Sequence, residues 1–461
     1  KALSVDKVAA LGAGKVELTG TDSALNIADI SKDATLSNVL SGQGQVNVQE
    51  ILALAEGTDN SGFEGQFNVT DKKSLTVSDR ASFGKTSAVN LGDQSQFNMN
   101  YEMGNLSADI TGTGQLNLGD GASMNVSAET QAIADTVKID LAKGATFTNN
   151  ANRFNHGLTG SGLLNIDAGG TDQAFTFGDN VGDQFAGTVH MTNSQFELAS
   201  SNKELNNAIL QVGDGNSTTV KGQGNKLVGL EVQGGELKLD KSFVSSEDDK
   251  ASLILDGALN LASGVLDLHV DGLGGQGDAN NELGESINTE DIILFALGSG
   301  VKNDVTFITA DSTRYDKDKM AVKLNGQEIE LNGEGENSSR TKLQQGNEYV
   351  ADLVYSSKAV TTSSGGQSGL FITSGLTLID LKEDKTLELV NSSSKGNFTT
   401  RVIGEGNLSL SGNMGFGHNG NDYSGDTSIV DQSNVTLLHD NAFGKEGDLI
   451  VITAGIPVGV S

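Results

Sequence analysis

The chain has 461 residues, of which 60 are acidic and 30 are basic, so its formal net charge is −30. This charge argues against bulk nucleic-acid binding, which needs a basic surface. The absence of cysteine excludes thiol chemistry and a disulfide framework, and no run approaches the about 18 apolar residues of a membrane-spanning helix. Proline occurs once, which suits strands paired on both sides because proline cannot donate a backbone hydrogen bond.

Residues 1–260 are rich in short stretches of alternating apolar and polar residues, separated by turns of Gly, Asn, Asp and Ser. Such alternation predicts strands with one buried and one solvent-exposed face. The predicted strands are Val16–Leu18, Leu25–Ile27, Val46–Val48, Phe67–Val69, Leu75–Val77, Phe97–Met99, Leu116–Leu118, Met124–Val126, Val137–Ile139, Leu163–Ile166, Val189–Met191, Phe196–Leu198, Ile209–Val212, Leu237–Leu239 and Leu253–Leu255.

A composite phrase recurs along the chain: Gly-x-Gly opens one strand, and an aromatic residue followed by x-Gly opens a later one. The paired segments are Gly42–Val48 with Phe63–Val69, Gly160–Ile166 with Phe185–Met191, and Gly404–Leu410 with Tyr423–Ile429, and the first half alone occurs at Gly12–Leu18 and Gly112–Leu118. Strands this short bury a core only when they are stacked as coils. The residues therefore predict an all-β solenoid, a parallel β-helix, with room for about 20 coils of roughly 20–25 residues each.

The pattern is interrupted over residues 265–350. This region contains a polar loop at Gly272–Glu282, a charged turn at Arg314–Lys319, and predicted strands at Ile292–Leu297, Val305–Ile308, Ala321–Leu324 and Ile329–Leu331. Long insertions in a solenoid tend to lie on one side, where they can wall a groove. Because the phrase returns from about Leu370, we predict a single β-helical domain over residues 1–461, with loop insertions at 265–350 and regular coils at 400–461.

Motifs for catalysis or metal binding are missing or incomplete. The histidines form no H-E-x-x-H or other zinc spacing, and no G-x-S-x-G is present. Asp278–Glu282 spaces oxygen ligands as a calcium loop does, but Leu283 and Thr289 stand where that loop needs Gly and Glu. We predict no catalytic residue, no metal site and no cofactor. Polysaccharide cleavage stays open, because other β-helices catalyse it and many carboxylate pairs arise by chance.

Cations are scarce, so their grouping is informative. Three patches in which basic residues outnumber acidic ones contain the candidate ligands Lys72, Lys73, Lys143, Arg153, Lys221 and Lys226. In a solenoid, residues far apart in sequence can stack on one face, and these patches would then form a basic stripe that attracts an anionic polysaccharide. The alternative is that they are scattered, solvated side chains.

A second candidate group lies in the interrupted region. It consists of Arg314, Tyr315, Lys317 and Lys319. An aromatic ring beside cations can stack on a sugar or anchor a protein partner. The alternative is an ordinary solvent-exposed loop.

The phrase at Gly404–Leu410, Tyr423–Ile429, Val435–Leu437 and Phe443–Gly444 resembles the repeat of autotransporter passenger domains, in particular the AIDA-I-type bacterial adhesins. The resemblance covers the repeating pattern of strands and turns over most of the chain. It implies a right-handed parallel β-helix on the surface of a Gram-negative bacterium, exported through the periplasm and the outer membrane. It also implies that residues 400–461 precede a C-terminal translocator barrel that is absent from this chain.

Passengers of this group attach to host surfaces, self-associate and support biofilm growth. The resemblance therefore implies a non-enzymatic adhesin whose partners are host glycosaminoglycans or a matrix protein such as fibronectin. The family has no ligand motif, so none of its residues can be transferred to this chain. Homotypic self-association is the second hypothesis and polysaccharide cleavage the third.

Overall fold

A computed structural model describes residues 1–127, 132–242, 249–271, 281–283, 287–288, 303–333, 337–363, 365–430, 432–444 and 449–453. This part of the chain is almost entirely β-strand, with one short α-helix at Arg80–Phe83 and two 3-10 turns at Val8–Leu11 and Lys203–Leu205. Stacked parallel strands form a β-solenoid of about 18 turns, which confirms the predicted fold class. Within the same ranges, no helix has the length and apolarity needed to cross a membrane.

The strands up to residue 227 are short. They are β1 Ala2–Val5, β2 Val16–Leu18, β3 Ala24–Ile27, β4 Thr35–Leu36, β5 Leu40–Gly42, β6 Gln45–Val48, β7 Ile51–Leu54, β8 Gly62–Phe63, β9 Gln66–Val69, β10 Ser74–Val77, β11 Ala88–Leu91, β12 Gln96–Met99, β13 Glu102–Asn105, β14 Asp109–Gly112, β15 Gln115–Leu118, β16 Ser123–Ser127, β17 Lys138–Leu141, β18 Thr146–Asn150, β19 Arg153–Phe154, β20 Leu158–Gly160, β21 Leu163–Asp167, β22 Ala174–Phe177, β23 Thr188–Thr192, β24 Ser194–Leu198, β25 Ile209–Val212, β26 Asn216–Val220 and β27 Asn225–Leu227.

Several later strands are much longer. They are β28 Gly229–Ser242, β29 Leu253–Leu255, β30 Ala258–Asp271, β31 Asn281–Leu283, β32 Ile287–Asn288, β33 Asn303–Thr309, β34 Ser312–Tyr315, β35 Met320–Leu324, β36 Gln327–Ile329, β37 Asn337–Gln345, β38 Glu348–Thr362, β39 Ser368–Leu381, β40 Thr386–Phe398, β41 Arg401–Gly404, β42 Asn407–Phe416, β43 Asp422–Tyr423, β44 Thr427–Ile429, β45 Asn434–Leu437 and β46 Ile450–Ile452. Each strand predicted over residues 1–260 overlaps an observed one.

Contacts divide the chain into two compact units. Unit 1 comprises Lys1–Lys238, Leu253–Leu266 and Arg314–Met320, and unit 2 comprises Leu239–Ser252, Asp267–Thr313 and Ala321–Ser461. The grouping of residues 1–461 into one domain stays a prediction.

Unit 1 consists of columns of parallel strands, including a short sheet β2-β5-β8. The first sheet runs β1-β3-β6-β9-β11-β14, the second runs β4-β7-β10-β12-β15-β17-β20, and the third includes β13-β16-β18-β21-β23-β25-β28. Each strand pairs with the corresponding strand of the next coil, so residues at equal positions in successive coils lie above one another.

The core of unit 1 consists of stacks of inward-pointing apolar side chains. In the first sheet, the register places Leu25, Val46 and Phe67 in one stack that continues through Val89 and Ile110. All five are 0% exposed. Complete burial of such a side chain contributes about 1.5–3 kcal/mol. The alternating sequence therefore folds as strands because alternation delivers an apolar residue to the core in every coil.

The glycine phrase has a direct steric explanation. Gly42 ends β5 with a φ of 90°, a conformation that favours glycine, and a Cβ there would lie 2.1 Å from the Leu18 oxygen. In the following coil, a Cβ on Gly65 would lie 2.0 Å from the Gly44 oxygen and 2.7 Å from the Phe63 ring. The equivalent pairs are Gly160 with Gly187, and Gly404 with Gly425. The phrase thus marks corners where the backbones of successive coils approach too closely for a side chain.

Unit 2 combines antiparallel and parallel strands. β38 pairs antiparallel with β37 and β39, and β33 pairs antiparallel with β39. β39 also pairs parallel with β41, and β40, β42 and β44 form a parallel ladder that extends to β46. β35 and β36 form a hairpin through Asn325-Gly326, where both residues have positive φ, as a type I′ turn requires.

The interrupted region is only partly as expected. Val305–Ile308 lies in β33 and Ala321–Leu324 in β35, which confirms two strands. The predicted strand Ile329–Leu331 is wrong in its last two positions, because β36 ends at Ile329 and Leu331 lies in a turn. Arg314 and Tyr315 belong to β34, so the predicted turn at Arg314–Lys319 is wrong in its first two positions. The predicted strand Ile292–Leu297 and most of the Gly272–Glu282 loop lie outside the described residues, although Asn281–Leu283 forms β31.

The glycine contacts provide a test of the corner geometry. We expect Gly65→Ala to lower the free energy of unfolding by about 1–3 kcal/mol, because the added methyl group overlaps a backbone oxygen that cannot move freely. Gly20→Ala is the matched control, since a Cβ at Gly20 would meet no atom within 4 Å. Denaturant unfolding measures both variants, and equal stabilities would contradict the steric explanation.

A buried ion pair holds part of unit 2 together. Lys241 and Asp249 form a salt bridge with side chains 3% and 7% exposed. The Lys241 Nζ also donates to the backbone oxygens of Lys250 at 2.6 Å and Thr306 at 2.7 Å. All donors of the ammonium group therefore have partners, which is the condition under which a buried charge is tolerated.

Removing this ammonium group is expected to destabilise unit 2. Lys241→Met keeps the aliphatic stem but leaves Asp249 buried without its counter-charge, which costs about 3–5 kcal/mol. Lys238→Met on the same strand is the control, because the Lys238–Glu236 pair is partly exposed to solvent, at 42% and 32%, and is worth at most about 1 kcal/mol. Thermal unfolding followed by circular dichroism would show a large downward shift only for Lys241→Met, and similar shifts would refute the argument.

Candidate functional site

A ladder of amide side chains runs along the outer face of the first sheet. Asn26, Asn47, Asn68 and Asn90 each stand at the same position of successive strands. The Nδ2 atoms of Asn47, Asn68 and Asn90 each donate to the Oδ1 atom of the preceding asparagine at 2.7 Å. Ser4 accepts from Asn26, and Thr111 donates to Asn90. We call this set the first amide ladder.

A second amide ladder follows the outer face of the second sheet. The register stacks Thr76, Asn98, Asn117 and Asp140 in order. Asn98 donates to Thr76 at 3.2 Å, and Asn117 donates to Asn98 at 2.7 Å. The Nε2 atom of Gln115 donates to the Asn117 Oδ1 atom at 2.7 Å. Each of these residues points outward because its neighbours along the strand, such as Phe97 and Met99 around Asn98, are buried.

A polar groove of about 490 Å³ lies over the second amide ladder. It is lined by Thr76, Gln96, Asn98, Asn100, Gln115, Asn117, Leu118, Gly119, Asp140 and Ala142. The lining contains one carboxylate, that of Asp140, and no cation. The chemistry of the groove is therefore that of neutral hydrogen-bond donors and acceptors.

The ladder bonds leave part of the amide capacity unused. An asparagine side chain has two N–H donors and two acceptor lone pairs. In the hydrogen bonds described, Asn98 and Asn117 each use one donor and one lone pair. Within the described part of the chain, one donor and one acceptor of each amide are thus free for a ligand, and the ladder bonds hold both amides in fixed orientations. Such groups can bind the hydroxyls of a sugar.

The predicted basic stripe does not form a single column. Lys72 and Lys73 lie in the turn before β10, whereas Lys143 lies in the turn after β17, at the opposite end of the second-sheet strands. Arg153 stands in β19, Lys221 follows β26, and Lys226 belongs to β27. Binding of an anionic glycan by these residues stays a prediction, but no one surface column contains them all.

Some of the predicted ligands are engaged by acidic neighbours. Lys73 pairs with Glu50 at 2.7 Å and Arg153 with Asp135 at 3.3 Å. In the interrupted region, Lys319 pairs with Asp316 at 3.2 Å. Within the described part of the chain, Lys72, Lys143, Lys221, Lys226, Arg314 and Lys317 have no ion pair. Tyr315 ends β34 beside Arg314, so these two residues share a strand while Lys317 and Lys319 lie in the turn that follows.

Unit 2 contains a charged aromatic cluster that sequence analysis missed. The Nζ atoms of Lys342 and Lys382 lie 5.4 and 5.2 Å from the Tyr349 ring centroid, within the range of cation–π attraction. Lys382 also pairs with Asp352 at 2.7 Å. Burial raises the pKa of Asp352, but the hydrogen bonds from Lys382 and Tyr349 outweigh this effect and hold the pKa below its usual range. This carboxylate therefore stays ionised and is unsuited to donate a proton.

Two curated proteins of Escherichia coli (strain K12) are similar in sequence. The uncharacterized protein YuaQ is 24% identical over 480 aligned residues, covering 96% of this chain and 33% of that protein. The uncharacterized lipoprotein YdeK is 24% identical over 335 residues, covering 67% of this chain and 24% of that protein. The chain thus spans a third or less of the length of these relatives. No family profile matches the sequence, and no solved structure matches it significantly.

The surroundings of Arg153 include a buried histidine. Asp135 accepts hydrogen bonds from Arg153 and, at 2.6 Å, from the Asn155 Nδ2 atom. The Nδ1 atom of neighbouring His156 is buried and has no hydrogen-bond partner in the described part of the chain. Burial lowers the pKa of His156, and the negative charge of Asp135 opposes this shift only in part.

The lowered pKa of His156 predicts acid sensitivity of unit 1. As the pH falls, the unfolded chain takes up the proton first, at the ordinary histidine pKa of about 6.5. The stability contributed by the neutral ring is therefore complete above about pH 6.5 and is lost as the pH falls towards and below the folded-state pKa. We expect the free energy of unfolding to decrease from about pH 7 to about pH 5, and to decrease less in His156→Phe. Urea titrations at several pH values measure this, and identical slopes for the two proteins would contradict it.

Proposed function

We propose that this chain is an adhesive segment of a bacterial cell-surface protein and that the groove over the second amide ladder binds a neutral polysaccharide. The observation that carries the proposal is the array of Gln96, Asn98, Gln115 and Asn117, which presents hydrogen-bonding amides in successive coils. Sugar hydroxyls both donate and accept hydrogen bonds, as do these amides. Planar polar groups on a rigid sheet also lose little entropy when they bind.

The spacing of the array supports a polymeric ligand. Neighbouring strands of a sheet lie about 4.8 Å apart, which is close to the length of one hexose ring. A polysaccharide lying along the stack can therefore place one sugar unit over each coil. Each contact is weak, and affinity accumulates over several units and over several copies of the protein on one cell.

The charge of the groove favours a neutral ligand over a sulfated one. The lining contains Asp140 and no cation, and the whole chain carries a net charge of −30. A polyanion would meet repulsion at this surface. Glycosaminoglycan binding through the predicted lysines, fibronectin binding and self-association remain separate predictions.

A non-enzymatic role is part of the proposal. Hydrolysis of a glycosidic bond requires two carboxylates on opposite sides of the bond, and Asp140 is the one carboxylate in the lining of the groove. The location on a cell surface is likewise proposed. It is supported by the autotransporter-like phrase and by the description of the relative YdeK as a lipoprotein.

Paired double variants test the groove. We expect Asn98→Ala with Asn117→Ala to weaken binding to a neutral oligosaccharide about tenfold, because two hydrogen bonds of about 0.5–1.5 kcal/mol each are lost. Asn47→Ala with Asn68→Ala is the matched control, since it removes two consecutive amides from the first ladder. Binding would be measured on an array of neutral and sulfated glycans at low and high salt.

Binding to the glycan array distinguishes a neutral ligand from a sulfated one. Salt-insensitive binding that is weakened only by the second-ladder variant supports the proposal. Salt-sensitive binding to heparin or chondroitin sulfate, lost on combined reversal of Lys72, Lys73 and Lys143 to Glu, would instead establish the basic residues as the site. Equal effects of both double variants would overturn the assignment to the groove.

A further inference from the structure

Unit 2 carries three outward-facing side chains whose chemistry fits a metal ion. One carboxylate oxygen each from Asp240 and Asp271 and one ring nitrogen of His269 all lie within 4.8 Å of one another. The His269 Nε2 atom is 2.9 Å from the Asp271 Oδ1 atom. Among the residues that the structure describes, no other three His or acidic side chains approach so closely. In place of the sequence-based prediction of no metal site, we infer that these three residues form a binding site for a divalent transition-metal ion.

Strand alternation explains why the three side chains share one surface. Leu268 and Val270 are buried, so His269 and Asp271 of β30 point to the opposite, solvent-facing side. Asp240 stands in β28 between the buried residues Leu239 and Lys241 and is itself exposed. Because β28 and β30 are paired, the ligands come from two adjacent strands. None of the three is part of a sequence motif for metal binding.

The backbone beneath the β30 ligands is held by a second element. Asn325, at the tip of the β35–β36 hairpin, bonds both polar groups of Val270: its Oδ1 atom accepts from the Val270 N–H at 2.8 Å, and its Nδ2 atom donates to the Val270 oxygen at 3.2 Å. Val270 lies between His269 and Asp271. The backbone that carries the two ligands is therefore fixed before an ion arrives.

The backbone beneath Asp240 is anchored from the other side of the sheet. The next residue, Lys241, is fixed by Asp249 and by the backbone oxygens of Lys250 and Thr306. A site whose ligands sit on strands locked by their neighbours binds more tightly than one on a mobile loop. Both ligand-bearing strands meet this condition.

The donor set selects the class of metal. An imidazole nitrogen with two carboxylate oxygens suits Zn²⁺, Cu²⁺ or Ni²⁺, whereas Ca²⁺ takes six to eight oxygens. The two carboxylates repel each other at this separation, and a dication removes that repulsion. Three protein ligands on an exposed face leave further coordination positions to water or to a group of another molecule.

Calorimetric titration of the whole chain with ZnCl2, and separately with CaCl2, tests the site. We expect one zinc ion to bind at this site, with affinity reduced by at least about 10-fold in His269→Ala and in Asp271→Asn, because loss of a ligand costs no less than loss of an outer-shell partner. His190→Ala is the control, because His190 also lies on the outer side of a strand, β23, but is not among the three ligands. We expect CaCl2 to give no binding at concentrations where zinc saturates.

The outcomes are distinct. Zinc affinity that falls in His269→Ala and Asp271→Asn but not in His190→Ala supports the site. Zinc affinity unchanged in both ligand variants, or absent altogether, would overturn it, as would calcium binding of equal strength. Circular dichroism of each variant without metal establishes that a lost affinity does not reflect unfolding. The test is independent of glycan binding, so failure of either proposal leaves the other standing.

Discussion

The contact on which unit 1 depends is the approach of a backbone oxygen to a glycine in the next coil. A Cβ at Gly65 would stand 2.0 Å from the Gly44 oxygen, so only a residue without a side chain lets the two corners stack at the normal strand separation of about 4.8 Å. Stacked corners put the strands that leave them in register. The core stack through Val46 and the amide ladder through Asn47 are two results of that one constraint.

Much of this arrangement can be predicted from sequence, because its signals are local. Alternation identifies the strands of unit 1, and the glycine phrase indicates their stacking. Which surface residues stack in one column is harder to predict, because the turns differ in length. Four residues separate β9 from β10, but two separate β14 from β15. Without the register, the sequence cannot show that Lys72 and Lys143 lie at opposite ends of the second-sheet strands. The amide ladders cannot be predicted from sequence for the same reason, because Asn98 and Asn117 become neighbours only through the pairing of β12 with β15.

Unit 2 shows a different limit of structure prediction from sequence. Alternation of apolar and polar residues indicates which face of a strand is buried, but not the direction of the neighbouring strand. The sequence of β38, with 15 residues, is therefore equally compatible with a parallel or an antiparallel sheet. Lys241 looks like a surface residue until Asp249 and Thr306 are seen around it. The metal-ligand cluster also depends on pairing, because Asp240 meets His269 only across two strands. The structure therefore adds to the sequence-based prediction the interactions between residues that are distant in sequence.

The amide ladders have a direction. In both of them, each asparagine donates from Nδ2 to an oxygen of the preceding coil: Asn47 to Asn26, Asn68 to Asn47, and Asn117 to Asn98. The side-chain dipoles therefore add along the stack rather than cancel, and hydrogen bonds arranged in such chains polarise one another. A sugar polymer is also directional, since its two ends differ chemically. A polymer lying on such a surface would have one preferred orientation, so that every copy of the protein would hold its ligand pointing the same way relative to its own termini.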